Sequence, residues 1–124
     1  MASGPGTTTD VAEITIRDNA DAAYTVASVV GELRADGADD FAERLHPLVA
    51  GHGARLLLDL SRLERIDSAG LSCLLTLGTR ARLSGGRMIL VAPMPMVAGV
   101  LEVTRLDTWF EIAQNLEEAE RRID

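Results

Sequence analysis

Apolar residues recur along the chain at two spacings, and each change of spacing marks a new element. Ala12-Glu13-Ile14-Thr15-Ile16-Arg17 alternates apolar and polar positions, the pattern of a half-exposed strand. Asp18-Asn19-Ala20-Asp21 supplies turn chemistry. Residues 24–30 are more continuously apolar and β-branched, as in a strand buried on both faces. The two strands stand close enough in sequence to pair as a hairpin, with the first outermost. Gly31-Glu32-Leu33-Arg34 closes the second strand. Phe41, Leu45, Leu48 and Val49 then recur at helical spacing. Asp36 is placed to cap that helix, and Asp39 and Asp40 fall in its first turn, where the helix dipole favours negative charge. Pro47 should kink the last turn or end the helix early. Gly51-His52-Gly53 breaks the chain again.

Residues 54–60 form the most apolar run and read as a third, buried strand, with 61–66 as the loop behind it. Ile66-Asp67-Ser68-Ala69-Gly70-Leu71 leads into an amphipathic helix over 71–83. Leu71, Leu74, Leu75 and Gly78 share its inner face, while Thr76, Thr79, Arg80 and Arg82 suit the other side. Ser84-Gly85-Gly86 stops that helix, and 88–91 is a short fourth strand. Pro93 and Pro95 sit where a helix begins, with Val97, Val100 and Leu101 facing inward. Leu106, Trp109, Phe110 and Ile112 carry a final strand and its approach, and Asn115 with Glu118 caps a last helix to Ile123. The order β-β-α-β-α-β-α-β-α implies an α/β fold: a mixed, mostly parallel five-stranded sheet with an N-terminal antiparallel hairpin and about four helices. Residues 1–10, rich in Gly, Ser and Thr, read as a flexible tail, and 11–124 as one domain.

Composition narrows the function. The chain has 124 residues and 47% hydrophobic positions, enough for one core, but only 3% aromatics, so Leu, Val, Ile and Ala must fill it. A formal net charge of −7 argues against nucleic acid, whose phosphates need clustered Lys and Arg. A protein partner with a basic surface fits better. The single cysteine, Cys73, lies among leucines and reads as small buried filler; it excludes an internal disulfide. No apolar run approaches the roughly 20 residues that span a bilayer, and no signal peptide is legible, so a soluble cytoplasmic protein is expected.

Several chemistries fail on spacing. No Lys follows a Gly-rich turn as a phosphate-binding loop requires. Ser68 has Ile66, not Gly, two positions before it, so only half of a nucleophile elbow exists. His46 and His52 lack the carboxylate or thiolate spacing of a metal site. A hydrolase using Ser68 is therefore disfavoured, and neither cofactor nor metal is expected. Ser68 keeps two readings. Either Asp67 or Ser68 caps the following helix, which the residues alone favour, or Ser68 is a modification site. A phosphate there adds about −1.5 to −2 charge beside the free N–H groups and positive dipole end of a helix.

The chain resembles the STAS-domain anti-sigma factor antagonists over nearly all of its length. The resemblance is carried by Gly31-Glu32-Leu33, by Leu57-Leu58-Asp59-Leu60 leading to Ile66-Asp67-Ser68-Ala69-Gly70-Leu71, and by Gly85-Gly86-Arg87-Met88-Ile89-Leu90-Val91. Pro95, Val97, Leu101, Leu106 and Phe110 continue it. The resemblance implies a STAS fold, no catalysis by the chain itself, and a partner-switching role in bacterial transcription regulation and stress response. The unphosphorylated antagonist binds an anti-sigma factor with a histidine-kinase-like ATPase fold and so frees a sigma factor. That partner is also a serine kinase; it phosphorylates the Ser after the motif's Asp, here Ser68, and binding ends. A separate serine phosphatase resets the switch. The implied contact surface is Gly31, Glu32, Leu33, Arg34, Asp67, Ser68, Ala69, Gly70, Leu71 and Ser72, with Met94 and Met96, on a monomer without nucleic-acid or membrane partners. The alternative is a STAS scaffold in a signalling or transport assembly that is never phosphorylated. Three positions depart from the family pattern: Arg34 stands where Asp is common, Ala69 where Ser or Thr is frequent, and Arg105 where Gly precedes Leu106.

Overall fold

The computed structural model describes residues 13–18 and 24–123; the expected tail and the turn at 19–21 lie outside them. The chain runs β1 (Glu13–Asp18), β2 (Thr25–Leu33), α1 (Ala35–Ala50), β3 (Arg55–Ile66), α2 (Ser68–Leu83), β4 (Arg87–Val91), α3 (Pro95–Val103), β5 (Glu111–Ala113) and α4 (Leu116–Arg122). Strand order in the sheet equals chain order. β1 pairs antiparallel to β2, and every later pair is parallel. This is the expected mixed sheet with its N-terminal hairpin. One face buries Leu33, Leu58 and Leu90 under Phe41 and Leu45 of α1, Leu74 and Leu77 of α2, and Val97 and Leu101 of α3. The opposite face is smaller: Val26, Leu57, Ile89 and Val91 pack under Ala119 of α4 and Ile123 just after it.

The expected loop at 61–66 is strand, and the close of the second strand runs on beside it. Residues 31–33 continue β2, and 61–66 continue β3, because the two segments pair with each other: Gly31 stands opposite Leu63 and Leu33 opposite Ile66. Their mixed charge hid this. Glu32 and Arg65 are cross-strand partners, not loop residues. Irregularities at Ser28/Val30 and Gly31/Glu32, with Gly31 at φ 103°, let Leu60 and Leu63 both reach the core although three positions apart. β4 pairs with β3 only as far as Asp59–Val91, so the ends of β2 and β3 project beyond it as a two-stranded ribbon.

Helix boundaries also differ from expectation. α1 begins at Ala35, so Asp36 lies in its first turn and is not its cap, and Arg34 at the cap position offers no side-chain bond. Pro47 does not end α1, which continues to Ala50. It sits on the exposed side of the last turn, where one forfeited hydrogen bond is offset by Leu45 and Val49 seated in the core. The inner face of α2 is Gly70, Leu74, Leu77, Gly78 and Ala81, and Leu71 and Leu75 flank it half-buried. Only Glu111–Ala113 of the final segment is strand; Trp109 and Phe110 belong to the turn before it. Asn115 caps α4 as its spacing predicts, accepting from the Glu118 N–H at 2.8 Å, while the Glu118 carboxylate reaches one residue further out, to the Gln114 N–H at 3.0 Å.

Candidate functional site

The projecting ends of β2 and β3 are parallel neighbours, so each delivers a strand-to-helix turn to the same place. β2 hands over to α1 through Arg34, and β3 to α2 through Asp67. The turns are joined by the backbone: the Asp67 N–H donates to the Leu33 carbonyl at 3.2 Å. They are joined again by the Asp67 side chain. Its Oδ1 accepts from the Gly70 N–H at 2.9 Å and its Oδ2 from the Ala35 N–H at 3.0 Å. One carboxylate therefore caps α2 in the ordinary way and also satisfies the first N–H of α1, which has no cap of its own. The Gly70 N–H bond holds the Asp67 carboxyl below the usual 3.8; bonds from Ala35 and Ala69 and the charge of Arg34 act in the same direction, against the opposing effect of partial burial.

Gly70 is what allows the turns to touch. A Cβ on it would lie 2.5 Å from the Leu33 carbonyl oxygen and 2.9 Å from the side chains of Ile66 and Leu33. Ser68, the first residue of α2, is exposed, and its hydroxyl makes no hydrogen bond among the described residues. Asp67 has taken the capping role, so the cap reading of Ser68 falls away. The α2 amide at Gly70 is also committed to Asp67, so a phosphate on Ser68 would meet a carboxylate beside it.

The other expected site residues divide by exposure. Arg34, Ser72 and Met96 are exposed; Gly31, Glu32, Ala69, Leu71 and Met94 are half-buried. Leu33 and Gly70 are buried, so they shape this surface from beneath. Met94 and Met96 do not join the Asp67 junction. With Val30, Ser61, Arg62 and Arg65 they line an open groove of about 730 Å³ along the ribbon. A chain of ion pairs links groove and junction: Arg65 lies 3.7 Å from Glu32, and Glu32 lies 3.2 Å from Arg34. Nothing in the sequence marked Arg65, since it read as loop. Cys73 sits beneath the junction, its thiol donating to the Ala38 carbonyl at 3.4 Å and pushed up in pKa by burial, with Asp39 and Asp67 adding. Among the described residues, no group of three His, Cys, Asp or Glu is placed to hold a metal ion, and no helix is long and apolar enough to cross a membrane.

The family model described as "Mlab, STAS domain" matches residues 16–117, which include the whole junction. The chain belongs to the STAS domain family. Solved STAS structures follow the same path. An anti-sigma factor antagonist from Mycobacterium paratuberculosis is 26% identical at a TM-score of 0.77, with 90% of this chain and 94% of that one covered. The Thermotoga maritima protein TM1081, described as a candidate anti-sigma factor antagonist, is 27% identical at a TM-score of 0.76, covering 89% and 93%. SpoIIAA in its unphosphorylated form is 24% identical at a TM-score of 0.73, covering 90% and 96%, and shares the fold. The same Bacillus protein in its phosphorylated form gives a TM-score of 0.68 at 23% identity, covering 90% and 100%.

Proposed function

We propose that this STAS domain is an anti-sigma factor antagonist: a cytoplasmic binding module, without catalysis of its own, switched off by phosphorylation at Ser68. Unphosphorylated, it binds an anti-sigma factor that is also a serine kinase, and a sigma factor is released. The kinase supplies ATP and Mg²⁺. The Ser68 Oγ attacks the γ-phosphorus, ADP leaves and the hydroxyl proton is lost, giving the phosphoserine ester. A serine phosphatase hydrolyses that ester and restores binding. The observation that carries this reading is the exposed, unpartnered hydroxyl of Ser68 beside a carboxylate that already performs the local structural work. The relatives described as antagonists support the choice of partner.

The site also suits an electrostatic switch. Phosphorylation adds about −1.5 to −2 charge and the bulk of a phosphate next to Asp67, on a chain already at −7, and so changes both the shape and the charge of the surface a partner docks on. The test is incubation with the cognate anti-sigma kinase, Mg²⁺ and ATP, followed by phosphopeptide mapping and kinase capture. One phosphate on Ser68 is expected, absent from Ser68→Ala. The Ser68→Ala variant should retain the kinase persistently, and Ser68→Asp should capture it poorly. No phosphate on Ser68, or equal capture by the two variants, sinks the switch and leaves a scaffold.

A further inference from the structure

Arg34 stands where β2 passes into α1, and Ser68 where β3 passes into α2. The bonds from Asp67 N–H to Leu33 and from Ala35 N–H to Asp67 hold the two turns in contact, so residues 34 and 68 leave adjoining backbones. Arg34 is near enough that its charge helps keep the Asp67 carboxyl low. Its side chain is 46% exposed, and its guanidinium engages Glu32 through Nη1 at 3.2 Å. Glu32 has a second cation, Arg65, at 3.7 Å. One carboxylate thus serves two arginines, and Arg34 can leave without stranding it. Exposed pairs of this kind cost little to break.

We infer that Arg34 is the counter-ion of a phosphoserine at position 68: on phosphorylation it leaves Glu32 and closes onto the phosphate, while Arg65 retains Glu32. This rests on the reading of Ser68 as the phospho-acceptor. The direction of the exchange follows from charge. A phosphate offers about −1.5 to −2 and three acceptor oxygens against the single charge of a carboxylate, and a guanidinium fork matches it in two places. The Gly70 amide in the first turn of α2 is already taken by Asp67, whose own charge raises the need for a cation. The acidic groups around the exchange are Asp67, Glu32 and, within the first turn of α1, Asp36. The phosphate is then laid across the α1–α2 junction, and one arginine against about −1.5 to −2 still leaves negative charge there beside Asp67.

The test is a phosphorus NMR titration of the full chain with phosphoserine installed at position 68 during translation. A chain that no kinase phosphorylates still gives a result here, so failure of the switch and failure of the pairing are distinguishable. The second phosphate pKa in wild type is expected to lie below that in Arg34→Gln by roughly half a unit, a discounted value for an exposed pair. Arg34→Lys should recover much of that difference, and about 1 M salt, where the screening length is about 3 Å, should erase most of it. Arg62→Gln removes an equal, exposed charge from the same ribbon but from neither side of the exchange, and should shift the value less. Arg34 is exposed, so these variants are expected to keep the wild-type melting temperature. Coincident titrations for wild type and Arg34→Gln, or an equal shift in Arg62→Gln, overturn the pairing.

Discussion

At Asp67 one carboxylate accepts from the first turns of two helices, so its proton is shared business between them. Its folded pKa lies below the ordinary 3.8, which means the unfolded chain binds the proton more readily. The stability it contributes is complete above that ordinary value and is lost as pH falls through the lower, folded one. Thermal midpoints followed by circular dichroism from about pH 7 to about pH 2.5 should show this: the advantage of wild type over Asp67→Asn is expected to shrink steadily at the acid end. An advantage that grows on acidification would contradict the assignment. Gly70 is the steric counterpart of Asp67. Gly70→Ala gains helix propensity but places its Cβ 2.5 Å from a backbone oxygen that cannot turn away. The expected result is a net loss of about 1–3 kcal/mol, read as a lower denaturation midpoint with the α1–α2 junction pushed apart.

At the scale of elements, two helices end in the same six-residue geometry with different residues at the critical position. At the end of α2 the Gly85 N–H bonds the Arg82 carbonyl and the Gly86 N–H the Ala81 carbonyl, with Gly85 at φ 79°. At the end of α3 the Arg105 N–H bonds Glu102 and the Leu106 N–H bonds Leu101, with Arg105 at φ 62°. Both are Schellman turns, whose left-handed residue is favoured as glycine because a Cβ crowds the following carbonyl. Arg105 occupies that position without the freedom of glycine, which explains why glycine is common there in the resemblance noted above. Arg105→Gly is expected to raise stability by about 1 kcal/mol, measured by urea denaturation, with no change in slope. A drop in stability would mean that the exposed Arg105 side chain supports the turn in a way its contacts do not reveal.

At the scale of the whole molecule, the site exists because two parallel strands are adjacent. Alternation, apolar runs and capping residues were enough to read nine elements in order, and the order sufficed for a mixed sheet with an N-terminal hairpin. Those signals are local: periodicity reports which face a residue turns inward, and Asp, Asn, Gly and Pro report where a helix starts or stops. They located Ser68 at a strand-to-helix turn and, through the likeness to known antagonists, gave it a role. What the sequence by itself could not decide was how far β2 and β3 extend. The charged segments 31–33 and 61–66 carry no apolar period, and their strand character comes from pairing with each other across the whole of α1 and the first half of β3. The same pairing decided that Asp67 caps α1 as well as α2, that Gly70 must lack a side chain, and that Arg34 and Arg65 share Glu32. Each of these is a contact between residues distant in sequence. Hydrogen bonds and ion pairs of that kind leave no periodic trace, and only the packed sheet brings their partners together.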